Sequence, residues 1–488
     1  MNGRFYKISG TFMQRWGLMA LSTLIPLWVS WRFRQAISYD DTYITLTYAR
    51  NLAQGHGFVY NGGLPHLGTT SPLLALWLGA LGALLHTEKM AQLALLTGGA
   101  AWVGSVWLAF WLGRKIQGRL AGQLMALLLA TAPLFPHVLR AEFPLMLFFS
   151  LLALLLIIEQ RQWLAGACFG LAFLARGDAA LLAGLSGLVV LKQTRRIPWG
   201  LVGGFTLVLA PWTVYATLTL GSPLPATLAI KRAHRAYGVW PHIAVGFWRW
   251  FQVTSLHFRL HFSLTALLSA LAALAMLRQR RTWGLVLIAW GALHAVAYLL
   301  LNVPFYFWYV TPVFMVAYLG AGLALAQLWE ASRPSYKLAS MFLLGIVLLL
   351  GAMGLSDAVA HAPRTPARVR AYLDTAAWLK ENTARESTVG SIEVGMMAYF
   401  SERPFIDLMG LTTPGAEEYL KKGDIGPYFE MLKPDYYLRN QDADDWKMCK
   451  QVHRTPEFQE HYKPVATIPQ RHRKPIIIYQ RIPSATER

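Results

Sequence analysis

Ser38-Tyr39-Asp40-Asp41-Thr42-Tyr43-Ile44-Thr45 follows the first strongly apolar segment of the chain. The first 355 residues contain only seven acidic side chains: Asp40, Asp41, Glu88, Glu142, Glu159, Asp178 and Glu330. Two of the seven are neighbours here. Ionisable groups beside a membrane segment are functional candidates, because desolvating them costs free energy that packing does not return. The competing reading is structural, with Asp40 or Asp41 as N-cap of a helix running through Tyr48-Ala49-Arg50.

Working outward, the 488 residues are 55% hydrophobic and 14% charged, where a soluble protein would carry roughly a quarter charged. This is the composition of a polytopic membrane protein. The formal charge of +20 does not imply nucleic acid. Residues 1–355 hold 26 of the 45 Lys and Arg, much of the excess in short loops between apolar runs, as membrane topology requires. Residues 356–488 balance 19 basic against 18 acidic side chains. Cys168 lies in an apolar run and Cys449 in the polar tail, so no disulfide is expected between them. Residues 16–31 lack a small-x-small cleavage site after them and read as a retained helix.

Arg4, Lys7 and Arg15 favour a cytoplasmic N-terminus. Further basic clusters stand at Arg114-Lys115 with Arg119, at Arg161, at Lys192 with Arg195-Arg196, at Arg278 with Arg280-Arg281, and at Arg333 with Lys337. Placing all of these in the cytoplasm pairs the spans between them. The expected spans are 16–31, 91–112, 119–135, 144–160, 162–175, 179–191, 200–220, 262–277, 283–301, 310–328 and 338–355, eleven in all. Ser71 to His86 then stays outside, as an interfacial helix within one long first loop, 35–90. Four of the seven acids fall on the outer face: Asp40 and Asp41 in the first loop, Glu142 in the second, Asp178 in the turn Ala175-Arg176-Gly177-Asp178. A fourth loop, 221–261, carries Lys231 and Arg232, and a fifth carries the aromatic run Phe305–Tyr309. Glu159 and Glu330 sit on the opposite side among basic residues, where solvated ion pairs are expected. The expected fold is therefore a polytopic α-helical membrane domain, 1–355, followed by an outer α/β domain, 356–488. In that second domain Tyr372–Lys380 reads as a helix, and Val389–Ile392, Pro404–Leu408 and Lys474–Arg481 as strands, with Pro475 at a strand start or edge.

Outward carboxylates with cations nearby, in a lipid-embedded protein, suit transfer of a sugar from a polyprenyl phosphate to an acceptor hydroxyl. A carboxylate takes the acceptor proton, the transition state has oxocarbenium character, and cations or a metal stabilise the departing phosphate. Asp40, Asp41, Glu142 and His56 are candidates for one divalent-metal site. The aromatics could line a sugar pocket or anchor helix ends in the interface.

The stretches Asp40–Thr45, Tyr48-Ala49-Arg50-Asn51-Leu52 and Gly55–Asn61 resemble the first-loop signature of GT-C membrane glycosyltransferases, most closely the bacterial arabinofuranosyltransferase-like group. The likeness continues through Thr70-Ser71-Pro72-Leu73, Ala175–Asp178, Gly221-Ser222-Pro223-Leu224-Pro225, Tyr306–Tyr309, Glu393-Val394-Gly395 and Arg403–Leu411. Departures exist. Arg140-Ala141-Glu142-Phe143-Pro144 keeps only the glutamate and proline of the family segment, Gly177 replaces a proline, and Ala226 replaces an asparagine.

The resemblance implies a multi-pass bacterial inner-membrane enzyme whose active site and C-terminal domain face the periplasm. It implies a polyprenyl-phosphate sugar donor, plausibly carrying arabinofuranose or another pentose, and inversion at the anomeric carbon. Asp40 is expected as base, with Asp41 and Glu142 as its companions in catalysis. Arg176 is expected on the donor phosphate, unless it pairs with Asp178 to cap their turn, with Lys231 or Arg232 as second cation. Asp178, Tyr306, Trp308 and Tyr309 are placed at the donor, and His56 and Tyr43 on the acceptor side. The acceptor is a glycan, lipopolysaccharide or protein. A flippase for a lipid-linked sugar is the alternative, but no internal repeat supports it. A binding protein on a passive anchor would leave the charges at membrane depth unexplained.

Overall fold

The computed structural model describes residues 2–62, 65–236, 240–331, 333–362, 365–440, 447–471 and 473–482, without the side chains of 2–15 and 447–449. Arg4, Lys7, Arg15 and Cys449 thus lie outside the described side chains, and Cys168 is a buried free thiol. In chain order the helices are α1 (Asn2–Arg32), α2 (Asp40–Ala53), α3 (Pro72–Leu84), α4 (Met90–Ile116), α5 (Arg119–Ala130), α6 (Phe143–Ile158), α7 (Gln162–Ala175) and α8 (Ala180–Thr194). They continue as α9 (Trp199–Leu220), α10 (Thr227–Ala236), α11 (Ile243–Val253), α12 (Leu256–Arg278), α13 (Thr282–Leu301), α14 (Phe307–Glu330), α15 (Pro334–His361) and α16 (Ala367–Asn382).

Each of the eleven expected spans falls on a helix. Among the described residues six of these, α4, α9, α12, α13, α14 and α15, are long and apolar enough to cross a membrane by themselves. Helices α5, α6 and α7 are only 12 to 16 residues long, about 18–24 Å against a hydrocarbon core of about 30 Å. Their shortness is tolerable because longer neighbours cover them: every residue of α5 from Ala121 to Ala130 is buried. The span expected over 119–135 ends early, and Phe135–Val138 forms a separate 3-10 turn. Helix α14 is buried on all sides from Phe314 to Ala326 and forms the centre of the bundle. Leu267, Leu271 and Leu274 of α12 and Leu338, Phe342 and Leu349 of α15 remain exposed, the pattern of lipid-facing surfaces. Glu159 pairs with Lys115 at 3.1 Å, both well exposed.

The C-terminal part holds a five-stranded mixed sheet, order β2-β1-β3-β5-β4. Its strands are β1 (Val389–Ser391), β2 (Phe405–Asp407), β3 (Tyr436–Asn440), β4 (Tyr462–Gln470) and β5 (Arg473–Arg481). Strands β1, β2 and β3 are parallel neighbours; β5 runs antiparallel to β3 and β4. The sequence reading missed β3 and β4. Pro464 and Pro469 disguise β4, and the sheet tolerates them because β4 is an edge. Pro475 proves not to be on an edge, since β5 pairs on both sides. It lies next to the strand start, before the pairing with β3 begins at Ile476 and opposite the irregularity between Ile468 and Gln470.

Two hydrophobic cores result. One lies in the helix bundle. The other joins Tyr43, Ile44, Tyr48, Phe58 and Tyr60 of the first loop to Val389, Val394, Met396 and Phe405 of the C-terminal domain. Arg50 Nη1 donates to the Tyr399 carbonyl at 2.6 Å, Asn61 Nδ2 to that of Phe405 at 2.6 Å, and the Tyr60 hydroxyl to that of Val394. The first loop is therefore the floor on which the C-terminal domain stands.

Candidate active site

Tyr39, in extended backbone, is the N-cap of α2, and Asp40 and Asp41 occupy its first turn. Neither aspartate caps the helix itself, although both sit where its dipole favours negative charge. Successive residues on a helix project about 100° apart, and the two carboxylates go separate ways. Asp40 turns to the C-terminal domain, accepting from the backbone N–H of Gly395 at 2.9 Å and of Met396 at 2.7 Å. Those donors are the exposed amides at the start of α17 (Met396–Ser401). Gly395 is required there: a Cβ would lie 1.9 Å from the Asp40 carbonyl oxygen. Burial raises the Asp40 carboxyl to about 6, the two N–H donors and the Asp41 charge being smaller influences. Asp41 keeps a third of its side chain exposed and faces Lys231, Oδ2 to Nζ 3.5 Å.

Lys231 projects from α10, in the fourth loop. Its ammonium is buried, donates to the Tyr306 hydroxyl at 3.0 Å and lies 4.1 Å from the centre of that ring. Trp308 stacks on Tyr39 at 4.2 Å and on Tyr306 at 4.7 Å. Lys231 and Trp308 form a wall shared by two cavities. One, of about 390 Å³, lies in the seam between α2, α10 and the C-terminal domain, with Asp40, Asp41 and Tyr306 on its surface. The other, of about 590 Å³, runs into the helix bundle along Phe173, Leu181, Pro223-Leu224-Pro225 and Leu301, and Tyr309 lines it as well. It is predominantly apolar.

Glu142, Arg176 and Asp178 meet at the floor of this apolar cavity. The Arg176 guanidinium, only 5% exposed, is fully engaged. It forks onto Asp178 (2.6 and 3.1 Å to Oδ2, 3.2 Å to Oδ1) and reaches Glu142 Oε1 at 3.3 Å, the Trp308 carbonyl at 3.2 Å and the Tyr298 hydroxyl at 3.2 Å. The pairing of Arg176 with Asp178, weighed from the sequence against a phosphate contact, is present, and Glu142 joins it.

Other expectations are corrected by the geometry. Arg232, next to Lys231 on α10, is exposed and lines neither cavity. His56 is exposed and lines neither cavity. Tyr43 is buried against Tyr399 and Phe400, on the side of α2 away from Asp41. Among the described residues no three His, Cys, Asp or Glu side chains are grouped to hold a metal ion. Asp40 is committed to backbone amides, Glu142 to Arg176, and His56 lies elsewhere, so the candidate donor set does not assemble. Five residues escaped the sequence reading: Tyr39, His234, Trp240, Arg368 and Glu393 all line the seam cavity. Tyr39 stood beside the aspartates and Glu393 within a quoted motif. His234 stood three residues after Lys231 in the fourth loop, whereas Arg368 had no signal, since only the folded chain brings it to α2.

Comparison with solved structures follows from this geometry. ArnT from Cupriavidus metallidurans, bound to undecaprenyl phosphate, aligns with a TM-score of 0.61 at 13% identity, over 96% of this chain and 98% of that one. The oligosaccharyltransferase AglB from Archaeoglobus fulgidus, in complex with an inhibitory peptide and a dolichol-phosphate, aligns with a TM-score of 0.58 at 12% identity, over 89% and 70%. The chain has the GT-C fold. Residues 360–481 also match a family described as Domain of unknown function (DUF8728). No curated protein matches the sequence. Within this GT-C fold α2 and α3 form the first-loop platform, α10 and α11 the fourth loop, and the sheet domain closes over both.

Proposed function

We propose that the protein is a membrane glycosyltransferase that moves a sugar from a polyprenyl phosphate to an acceptor hydroxyl, with Asp41 as general base and Lys231 as the cation on the phosphate. One observation carries this reading: Asp41 and Lys231 face each other at 3.5 Å where the apolar cavity meets the seam cavity. The apolar cavity suits an isoprenoid chain. An ammonium has three N–H donors, and Lys231 directs two of its contacts to Asp41 and Tyr306, which leaves donor capacity for a phosphate oxygen. In the reaction the acceptor O–H gives its proton to Asp41 while its oxygen attacks the anomeric carbon from the face opposite the phosphate. The bond from that carbon to the phosphate oxygen breaks, its electron pair leaves with the lipid phosphate, and the configuration inverts.

Asp40, the base expected from its place in the motif, takes a different part here. With both oxygens held by Gly395 and Met396, it fixes the pitch of α2 and so the aim of Asp41. Arg176 likewise holds Glu142, Asp178 and the Trp308 backbone rather than the donor itself. The first-loop resemblance makes arabinofuranose, or another pentose, the first donor sugar to try. An outward-facing site at the periplasmic surface accords with the basic clusters of the opposite loops.

The test is reconstitution with a radiolabelled polyprenyl-phosphate pentose, following sugar release and transfer. Asp41→Asn is expected to lose on the order of a hundred- to ten-thousand-fold in turnover, the usual range for a positioned base, with donor binding retained. Lys231→Met should weaken donor binding. Movement of the intact lipid-linked sugar across the bilayer without its cleavage would make the protein a flippase, and full turnover by Asp41→Asn would remove the base.

A further inference from the structure

The seam cavity of about 390 Å³ has a chemical bias in its walls. Two residues that line it, His234 and Glu393, each carry a buried polar atom, Nδ1 and Oε2, with no hydrogen-bond partner among the described residues. Both are acceptors. His234 is 3% exposed and its Nε2 lies 2.9 Å from the Met409 carbonyl oxygen. A carbonyl can only accept, so Nε2 carries the ring proton. Burial, reinforced by the Lys231 charge, pushes the imidazole down to about 3, so the ring is neutral and Nδ1 presents a bare lone pair. Glu393 gives Oε1 to the Arg368 guanidinium, and its buried Oε2 has no partner among the described residues. Asp41 adds a second carboxylate, and aromatic rings supply much of the remaining wall: Tyr39, Trp240, Tyr306 and Trp308.

The two cations on this surface each face a carboxylate, Lys231 that of Asp41 and Arg368 that of Glu393. An anionic guest would therefore meet like charge and a lone pair, whereas a guest rich in O–H donors would satisfy acceptors that are otherwise buried without partners. Aromatic walls suit the C–H faces of such a guest. Building on the glycosyltransferase reading above, we propose that the acceptor enters the seam cavity as a neutral saccharide unit. Its hydroxyls donate to Glu393 Oε2 and His234 Nδ1, and these two side chains position a further hydroxyl toward Asp41. Phosphorylated or otherwise anionic acceptor groups are disfavoured here once Lys231 holds the donor phosphate.

Binding alone tests this, with no donor present. Saturation-transfer NMR on the full chain in detergent would compare neutral methyl hexopyranosides and disaccharides with hexose phosphates. A neutral glycoside is expected to bind, and in Lys231→Met, which lacks the cation assigned to the donor phosphate, the phosphates should bind at least tenfold more weakly than the glycoside. Glu393→Gln and His234→Phe should each weaken the glycoside about tenfold or more, with melting temperatures recorded to confirm that each variant is folded. The second variant keeps a ring against Trp240, so loss of binding there reports the nitrogen and not the packing. Preferred binding of the phosphates by Lys231→Met, no glycoside binding, or undiminished affinity in both folded Glu393 and His234 variants would overturn the proposal. Glycoside binding without any transfer would instead sink the glycosyltransferase reading and leave this site standing, while transfer insensitive to Glu393 and His234 would do the reverse.

Discussion

Adjacent carboxylates on one helix turn have come to serve different masters, because neighbouring positions on a helix cannot point the same way. Asp40 is enclosed by protein, and its ionisation is opposed by burial. Its carboxyl and that of buried Asp407 are both raised from 3.8 to about 6. An acid that holds its proton more tightly folded than unfolded adds stability below its unfolded value, and that increment is lost as pH rises through the folded one. The melting temperature of the wild type relative to Asp40→Asn should therefore fall between about pH 4 and pH 6 and level off above. A flat difference across that window would mean that Asp40 titrates like a solvated carboxyl. Arg176 invites a second measurement. Removing one partner of a buried ion pair costs about 3–5 kcal/mol, and Arg176→Ala strands both Glu142 and Asp178. Arg176→Ala is expected to melt well below the wild type. An unaltered melt with lost donor affinity would return Arg176 to the phosphate.

At the level of elements, the decisive contact is between the start of α2 and the start of α17, and Gly395 sets its closeness. A methyl group there would meet the Asp40 carbonyl at 1.9 Å, backbone that cannot swing aside. Gly395→Ala should therefore loosen the C-terminal domain from the first loop, visible as faster proteolysis at exposed sites of that domain and as reduced turnover. Equal protease resistance in the variant would show that the seam can yield. This contact also marks the limit of what the sequence conveyed. Apolar runs punctuated by basic clusters announced the spans, since burial in lipid demands such runs whatever the partners. The Asp40-Asp41 pair and Lys231 were legible because charge is scarce in the first 355 residues. The division of labour between the aspartates was not, because it is decided by backbone amides of a six-residue helix in another domain. Tyr43 misled for the same reason: which side of α2 faces the cavity depends on where that domain rests. Strand β4 was hidden by its two prolines, Pro464 and Pro469.

Across the whole molecule, the helix bundle and the C-terminal domain have separate hydrophobic cores, and the first loop belongs to the second. The topology predicts that His56→Cys and Lys422→Cys, both exposed positions, are labelled by an impermeant thiol reagent from the periplasm. Gln279→Cys, exposed at the end of α12, should be reached only from the cytoplasm. The background for this experiment has Cys168 and Cys449 replaced by serine. Labelling of all three from one side would refute the arrangement of spans.

The bond between Asp40 and Gly395 closes a loop of 355 residues. As the ribosome makes the chain, α2 emerges early and then waits, its apolar side uncovered, while the bundle is threaded into the bilayer. Only when the sheet domain has formed does the waiting helix acquire its final pitch. Such long closures are slow and leave the intermediate vulnerable, but they also act as a licence: a half-made chain has the carboxylates and no means of aiming them.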